Sequence, residues 1–463
     1  MSFLRSWSQQ EQHAAQGLAS IYVVRMMGLF MILPVFAVYA QGLPDATPLL
    51  TGLALGMYGL TNSLFSIPYG MLSDRFGRKR LIAIGLLVFA LGSVVAAMSE
   101  SIYGIILGRA LQGAGAVASV LMALAADLSR EENRLKMMSF IGISIGFAFA
   151  ISMVLGPIVT RYVGMSGLFW FIALLAILAL VILYTRVPDP ALSFFHRDAQ
   201  VNPTEVNKVL RDPQLLRLDF GVFTLHMVLM AVFVALPRML ETTGFLVDHH
   251  WQLYLPVFLL SVPLMVPFII LAENRRRMKQ VFIGAIVGLA AALLALLIFG
   301  HTVWHVALAL VIFFTAFNLL EASLPSLIAK MSPADRKGTA MGMFSTSQFM
   351  GAFAGGAMGG FSFQHWGATG VYWMCLLVIV VWLLLASTMK NPRYVSTYLL
   401  NIGKIDPADS AAMVARLVQV QGVAEATVEA DEGIAYLKVD LHALDEGKLL
   451  QYSINEQIMK TPD

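Results

Sequence analysis

Apolar residues form long runs along the first 390 positions of the chain, and short polar or charged stretches separate these runs. A helix of about twenty residues rises roughly 30 Å, which is the thickness of the hydrocarbon core of a membrane. A transmembrane β-barrel would instead show shorter segments of alternating hydrophobicity. The pattern therefore predicts an all-α membrane protein with twelve transmembrane helices. Their predicted spans are 16–40, 50–72, 80–99, 102–127, 137–163, 167–187, 217–240, 251–272, 280–300, 304–329, 338–362 and 370–389.

Composition agrees with a membrane location. Hydrophobic residues make up 58% of the 463 positions and charged residues only 13%, a balance too apolar for a soluble globule of this length. Cys375 is the only cysteine, so the chain can form neither an internal disulfide nor a cysteine-based metal cluster. We therefore expect neither a metal ion nor a cofactor, and a fold that depends on helix packing.

Lysine and arginine are divided unevenly among the predicted loops. Loops 73–80, 128–136, 273–280 and 330–337 hold four, three, four and three of them, whereas the connections on the opposite side hold only about two, Arg161 and Arg238. Basic loops of membrane proteins face the cytoplasm. The N-terminal residues are too polar for a cleaved signal peptide, so we expect the first helix to be retained. The sequence thus predicts a multi-pass protein of the cell inner membrane with both termini in the cytoplasm.

A polar connection of residues 188–216 separates the helices into two sets of six. The two sets echo each other at a constant offset of 199 positions, which indicates a parallel repeat with a site between its halves. The predicted organisation is an N-terminal half (1–187), a cytoplasmic linker (188–216), a C-terminal half (217–390) and a cytoplasmic domain (391–463). The corresponding positions are Pro68, Leu72, Asp74, Arg78, Arg80 and Gly85 with Pro267, Leu271, Glu273, Arg277, Lys279 and Gly284.

The last 73 residues, 391–463, lack any run long enough to span a membrane. Strands are predicted at 397–403 and within 426–440, where a turn at 431–433 divides two strands, and helices at 410–422 and 443–460. This βαββα order is most of a ferredoxin-like fold. It also resembles heavy-metal-associated domains, but without their Cys-x-x-Cys, so thiolate-bound copper or zinc is not expected. We expect regulation, contact with the central linker, or self-association through an open sheet edge.

A charged motif, Gly70-x-Leu72-Ser73-Asp74-Arg75-Phe76-Gly77-Arg78-Lys79, joins the second and third predicted helices. It resembles the signature of the major facilitator superfamily at nearly every position. Arg109-Ala-Leu-Gln112-Gly113-Ala-Gly115 is similar to the arginine motif of the proton-coupled members. Gly156-Pro157 is similar to the antiporter signature, although Ser152 and Thr160 stand where glycines are usual. The resemblance covers essentially the whole chain and implies a secondary transporter.

Asp74 needs an explanation beyond topology, because an acid contributes little to the orientation of a membrane protein. The family resemblance implies that Asp74 holds the two halves together near Gly338-Thr339, where free N–H groups at a helix start favour an anion. It also implies that Arg78 pairs with a carboxylate at the end of the fourth helix. We expect a latch that stabilises the outward-facing state and breaks when the protein opens inward. The predicted latch residues are Gly70, Asp74, Gly77, Arg78 and Asp127.

Four ionisable residues lie well inside predicted spans, namely Arg25, Arg109, His226 and Glu321. A charge near the centre of a membrane helix costs about 2.5–3.5 kcal/mol on insertion scales, so each is expected to pair or to face a cavity. Glu321 is interpreted as a proton or substrate site, or as part of a structural ion pair. His226 could carry protons or simply hydrogen-bond a neighbour. The arginines either bias the pKa of a nearby acid or hold an anionic group. All four ionisable residues are assigned to proton coupling.

Polar and small residues recur at helical spacing in several spans. Tyr58, Asn62, Phe65 and Tyr69 form a stripe suited to a cavity wall, and Asn318 lies one turn before Glu321; packing between helices is the alternative interpretation. Small residues repeat every fourth position in the fifth and eleventh spans, where they allow close backbone approach. The packing candidates are Ser152, Gly156, Pro157, Gly351 and Gly355.

These features predict a transporter in which inward proton movement drives export of small, amphipathic or drug-like compounds by alternating access. Its expected partners are the substrate, protons and membrane lipid. Efflux of sugars or other metabolites is one alternative, and a membrane sensor that signals through the C-terminal domain is another. No catalytic residues and no nucleic-acid partner are expected, because the sequence lacks any nucleophile or phosphate-loop constellation.

Overall fold

A computed structural model describes residues 7–189, 205–333, 336–391, 396–430, 433–440 and 443–453 of the chain. Most of the described chain is helical. The predicted linker segment 190–204, the turn residues 431 and 432, and positions 454–460 of the last predicted helix lie outside these ranges.

Six crossings form the first half. The first consists of α1 (Gln9–Phe30) and α2 (Leu33–Tyr39), with Pro34 at the break. The second and third are α3 (Pro48–Phe76) and α4 (Arg78–Met98), and the fourth is divided into α5 (Ile102–Ala114) and α6 (Ala118–Asp127). The fifth and sixth lie in α7 (Glu131–Thr185), which turns at Gly164, where φ is 71°.

The second half repeats this arrangement after a short helix, α8 (Val206–Leu210). It comprises α9 (Pro213–Thr242), α10 (His250–Asn274), α11 (Met278–Phe299) and α12 (Val303–Met331). The last two crossings lie in α13 (Lys337–Ser387), which turns at Gly367, where φ is 64°. The prediction of twelve helices in two halves is confirmed.

Among the described crossings, α3 is long enough to span a membrane but falls short of the mean hydropathy expected of a span. It is rich in glycine, serine and threonine because it packs on other helices along much of its length. Gly77 ends α3 with φ 91°, a conformation that favours glycine, and its N–H donates to the carbonyl of Ser73. This sharp stop places the charged motif in a tight turn between α3 and α4.

The two halves touch where α3 meets α13. A Cβ atom on Gly52 would collide with the backbone of Gly356, and one on Gly59 would collide with the carbonyl of Phe349. At the same end Arg238 Nε donates to the carbonyl of Ala37 across 2.7 Å. These contacts occupy the half of the helices that is farther from the basic loops, from the helix centres to that end. The halves are therefore closed against each other at the non-basic end.

The C-terminal domain is a three-stranded antiparallel sheet of β1 (Ser396–Asn401), β2 (Val423–Glu429) and β3 (Ile434–Val439), in the order β1-β3-β2. Helix α14 (Ser410–Val418) packs on β2, and the final helix, α15, extends over Glu446–Leu450. The predicted βαββα order is confirmed, although the last helix is shorter than predicted because residues 451–453 have left the helix.

This domain rests on the second half of the membrane region. Lys438 on β3 is buried and donates from Nζ to the carbonyl of Ala329, in the last turn of α12. Arg276, in the loop before α11, donates to the Asp440 carboxylate across 3.1 Å. The domain thus contacts the end of α12, whereas contact with linker residues 190–204 falls outside the described part of the chain.

Candidate functional site

The charged motif forms a compact ion-pair network within the first half. Arg78, almost fully buried, pairs with Asp74 one turn earlier and donates from Nε to Asp127 Oδ2 across 3.2 Å. It also donates to the hydroxyl of Ser73. The Asp127 side chain is buried at the end of α6, whereas that of Asp74 is 44% exposed. The arrangement ties α3, α4 and α6 together at the basic end.

The predicted contact between Asp74 and the start of α13 is not made in this conformation. Among the described residues, Arg78 is the ion-pair partner of Asp74. Thr339 lies buried in the first turn of α13. The physical reason is that the inter-half contacts lie at the opposite end, which leaves the basic ends of the halves apart. The ion pairs of Arg78 with Asp74 and Asp127 are formed, whereas the predicted contact of Asp74 with α13 is absent, and the latch remains a prediction.

The small residues predicted to mediate packing lie at close helix contacts. Added Cβ atoms on Gly351 and Gly355 would meet the carbonyls of Phe223 and Met227 on α9. A Cβ on Gly156 would meet the carbonyl of Met31, next to the break in the first crossing. Ser152 is fully buried and donates to the carbonyl of Ala148, and Pro157 lies inside α7. A Cβ added to Gly70, by contrast, would have Ser119 Oγ as its nearest contact, at 3.6 Å.

A polar cluster occupies the interior of the second half, where α9, α12 and α13 meet. Gln348 Nε2 lies 2.8 Å from His226 Nε2 and 3.2 Å from Glu321 Oε1. Glu321 Oε2 is 3.6 Å from His226 Nε2. His226 is buried, whereas the Glu321 side chain is 36% exposed. The structure thus brings together the two predicted proton-coupling residues of this half.

The hydrogen bonds of this cluster define one arrangement of protons. An amide nitrogen only donates, so His226 Nε2 accepts from Gln348. The imidazole proton then lies on Nδ1, which is 3.2 Å from the carbonyl oxygen of Val222. Glu321 Oε2 is buried without a hydrogen-bond partner among the described residues. The site therefore places a histidine ring nitrogen beside a buried carboxylate oxygen that has no hydrogen bond from the described residues.

A second polar cluster occupies the interior of the first half. Arg25 Nη2 donates to the Tyr58 hydroxyl across 3.0 Å, and Asn62 Nδ2 reaches the same hydroxyl across 3.4 Å. The Arg109 guanidinium stacks over the Tyr58 ring, with Cζ 5.1 Å from the ring centre. Its Nη1 donates to Gln112, which in turn donates to Ser93. The structure thus brings the two predicted arginines to one tyrosine.

Neither arginine has the acidic neighbour that one prediction required. Among the described residues, the hydrogen-bond partners of Arg25 and Arg109 are a hydroxyl, an amide oxygen and backbone carbonyls. Arg25 Nε has no partner at all in the described part of the chain. Within the described ranges, the arginines therefore have no nearby acid whose pKa they could change in this conformation. The other interpretation, that they hold an anionic group, is compatible with these contacts.

The predicted cavity wall is only partly open. Tyr58 and Asn62 are buried, whereas Phe65 is 43% exposed. Tyr58 is covered because its ring packs on Phe349 of the other half, with ring centres 6.1 Å apart. Asn318 is half-buried, and its Nδ2 has no hydrogen-bond partner among the described residues.

Gln348 is the residue of this site that sequence reasoning missed. A glutamine inside a membrane helix is a polar signal like the others, but it carries no charge and lies in a segment rich in glycine and serine. It precedes Phe349, the residue that meets Tyr58 and Gly59 across the halves. The cluster of the second half is therefore one residue away from the contact between the halves.

Comparison with known proteins agrees with these observations. The family model described as Major Facilitator Superfamily matches residues 18–278 and 250–400. The chain is 47% identical over 430 residues to the inner membrane transport protein YajR of Escherichia coli, covering 93% of this chain and 94% of that protein. An uncharacterized transporter of Buchnera aphidicola is 35% identical over 336 residues, covering 72% and 86%.

A solved structure shares the fold. A bacterial homolog of the human lysosomal transporter Spinster, in an inward-facing and occupied conformation, superposes with a TM-score of 0.66 at 13% identity. The match covers 82% of this chain and 96% of the other chain.

Proposed function

We propose that this chain, which belongs to the major facilitator superfamily and is therefore a secondary membrane transporter, couples inward proton movement to the export of small amphipathic compounds. The observation that carries the proposal is the contact of His226, Gln348 and Glu321 beside the interface of the halves. This cluster offers a proton site next to the interface whose opening and closing produce alternating access.

Proton uptake would change the hydrogen bonds of this cluster in a defined way. A proton on His226 Nε2 turns an acceptor into a donor, so Gln348 can no longer donate to it. The imidazolium then pairs with Glu321 Oε2, now 3.6 Å away, and Gln348 must turn. Because Gln348 adjoins Phe349, this change reaches the contact with Tyr58 in the other half. Release of the proton restores the original arrangement.

The proposed orientation places the basic loops and both termini in the cytoplasm of a cell with an inner membrane. The charge distribution supports it, because basic loops remain on the cytoplasmic side. A proton that enters across this membrane gains about 2.3 kcal/mol per 100 mV from the potential alone. The closed non-basic end then corresponds to an inward-facing conformation, in which Glu321 could release its proton to the cytoplasm.

Glu321→Gln tests the proton site. The substitution keeps the shape of the side chain but removes its ability to exchange a proton, so compound-driven proton flux in reconstituted vesicles should fall at least tenfold. Fluxes would be measured across a panel of amphipathic compounds. Glu100→Gln, at an exposed loop position, is the matched control and should keep full flux. Full proton-coupled transport by Glu321→Gln would overturn the assignment.

One observation favours a second candidate, a sensor that signals through the C-terminal domain. Lys438 of that domain holds the end of α12, the helix that carries Glu321. A change at Glu321 could therefore reach the domain along a single rigid helix. A sensor would need the domain for its output, whereas a transporter should retain flux without it.

A further inference from the structure

We propose that the first half contains a binding site for the anionic head group of an amphipathic substrate, with Arg25 as its positive charge. This inference rests on the proposed transport function and names the class of compound carried. Arg25 lies on α1, near the middle of the first crossing, and is 1% exposed.

The first observation is the excess of positive charge in this half. Arg25 and Arg109 are both almost completely buried, and neither contacts a carboxylate among the described residues. Arginine does not lose its proton in proteins, so both charges persist at any physiological pH. Charges inside a membrane protein usually pair with an opposite charge or face a cavity that supplies one. A compound that carries a negative charge would complete this site.

The two arginines differ in their capacity for a ligand. Arg109 is satisfied by Gln112 Oε1 at 2.7 Å and by two backbone carbonyls of α3, and its flat face is covered by Tyr58. Arg25 has a single hydrogen-bond partner among the described residues, the Tyr58 hydroxyl, and its Nε has none. Arg25 is therefore the arginine that can donate hydrogen bonds to a ligand.

The free donors of Arg25 have the geometry that a carboxylate needs. Nε and Nη2 lie on the same edge of the guanidinium, and this edge binds the two oxygens of a carboxylate or a sulfonate side by side. At present Nη2 donates to the Tyr58 hydroxyl, to which Asn62 also donates, and Nε has no partner among the described residues. An anionic oxygen in place of the hydroxyl would receive the same donors and would add a full negative charge. The ligand would thus replace the Tyr58 hydroxyl as the partner of Nη2 and would also receive the unpartnered Nε.

Apolar surface continues from this edge toward the basic end. Phe65 lies seven residues after Tyr58 on α3, which places it on the same helix face about 10.5 Å away. Phe65 is 43% exposed. A compound with an anionic head at Arg25 and an apolar tail along this face matches both features. A compound with a cationic head would face two uncompensated arginines.

Three probes with the same tail and different heads test the inference: octanoate, octylamine and octanol. Each would be added to the purified full-length protein in lipid nanodiscs, and the thermal unfolding midpoint would be followed by tryptophan fluorescence. Octanoate should raise the midpoint in a saturable manner. Octylamine and octanol should require at least tenfold higher concentrations for the same shift.

Three variants locate the site. Arg25→Gln should abolish the octanoate shift, and Arg25→Lys should retain a weaker one, because lysine keeps the charge but lacks the two-pronged edge. Arg161→Gln removes an exposed arginine at the other end of the molecule and should behave as the parent protein. If Arg25→Gln does not fold, the inference is tested by two other results. These are the comparison of the three probes on the parent protein and the octanoate shift of the Arg25→Lys variant.

Two results would overturn the inference: equal shifts from all three probes, or an unchanged octanoate shift in Arg25→Gln. The assay is an equilibrium measurement without a proton gradient, so it is independent of the flux assay on Glu321→Gln. Loss of octanoate selectivity with intact proton coupling would refute the anion site alone. Intact selectivity without proton coupling would refute the proposed coupling alone.

Discussion

Buried charges in this protein are held in two different ways. Arg78 is paired with the carboxylates of Asp74 and Asp127, so its burial is compensated by opposite charge. Arg25 and Arg109 have neutral partners only, in the described part of the chain. The first arrangement builds a structural joint at the basic end. The second leaves a positive field in the interior, which is the property that a site for a charged ligand requires.

Lys438 is a buried charge outside the membrane region. Burial, with a contribution from the nearby charge of Lys337, lowers the pKa of Lys438 from 10.5 to about 8, while Glu425 acts in the opposite direction. Between pH 8 and 10.5 the unfolded chain thus holds a proton that the folded, docked domain has released. Stability of the domain should therefore rise with pH across this window, by up to an amount on the order of 3 kcal/mol.

The Lys438→Met variant tests this pH dependence. Methionine keeps an apolar side chain at the site but has no proton to lose, so the contribution of Lys438 should vanish. The urea midpoint of the C-terminal domain would be measured by pulse proteolysis of the full-length protein at pH 8 and pH 10. Lys448→Met, at an exposed lysine, should keep the rise seen in the parent protein. An equal rise in Lys438→Met would show that other groups cause it.

At the scale of elements, glycines determine how closely the helices pack. Gly351, Gly355 and Gly359 on α13 meet the backbone of α9, and Gly356 and Gly360, on another side of α13, meet α3. Helix α13 is therefore held by its own half on one side and by the opposite half on the other. Close backbone contact without interlocking side chains allows helices to separate and rejoin, as alternating access requires.

Gly355→Val should disrupt the contact between α9 and α13. The added side chain would collide with the carbonyl of Met227, which cannot move without shifting the helix. We expect the free energy of unfolding to fall by about 1–3 kcal/mol, as is typical of overpacking. The measurement is thermal unfolding in detergent. Gly142→Val on α7, where a Cβ meets nothing within 4 Å, should leave the midpoint nearly unchanged. Equal effects of the two substitutions would contradict this account.

At the scale of the whole molecule, the closed non-basic end accounts for the missing contact between Asp74 and the start of α13. Two rigid halves that close at one end separate at the other. This separation explains why Arg78 is the ion-pair partner of Asp74, with the start of α13 out of contact. The conformation thus lacks the contact between Asp74 and the start of α13 that the predicted latch requires, while the ion pairs of Arg78 remain.

Asp74→Asn should favour this conformation further, because it removes the charge that would dock on the start of α13. Phe65→Cys is a suitable reporter, since Phe65 is exposed here and Cys375 is buried. Labelling by a membrane-impermeant thiol reagent from the basic-loop side of vesicles should become several-fold faster. Asp45→Asn, at an exposed position on the opposite end, should have no effect. Unchanged accessibility after Asp74→Asn would refute the latch.

Deletion of residues 393–463 distinguishes the two functional candidates. The domain contacts the second half through α12 and Arg276, and the transport helices are complete without it. We expect proton-coupled flux in vesicles to persist, at a rate changed by no more than about tenfold. A complete loss of flux, with the membrane region still folded by size exclusion, would favour the sensor.

Much of the fold could be predicted from sequence, because membrane crossing is a local requirement. A span that faces lipid must be apolar over most of its length, so long apolar runs indicate helices that cross the membrane. The turn at Gly77 and the βαββα order of the C-terminal domain depend likewise on neighbouring residues. The helix breaks at Pro34 and between α5 and α6 escaped prediction, because they alter direction without interrupting the apolar runs.

The sequence by itself determined the class of protein, the residues with an ionisable group in the membrane and the division into two halves. The tertiary structure alone decided which of these residues meet: His226 with Glu321 through Gln348, and Arg25 with Tyr58. It also decided which end is closed and where the C-terminal domain rests. These are contacts between residues tens to hundreds of positions apart, and they depend on how helices pack, which no local pattern of hydrophobic and polar positions specifies.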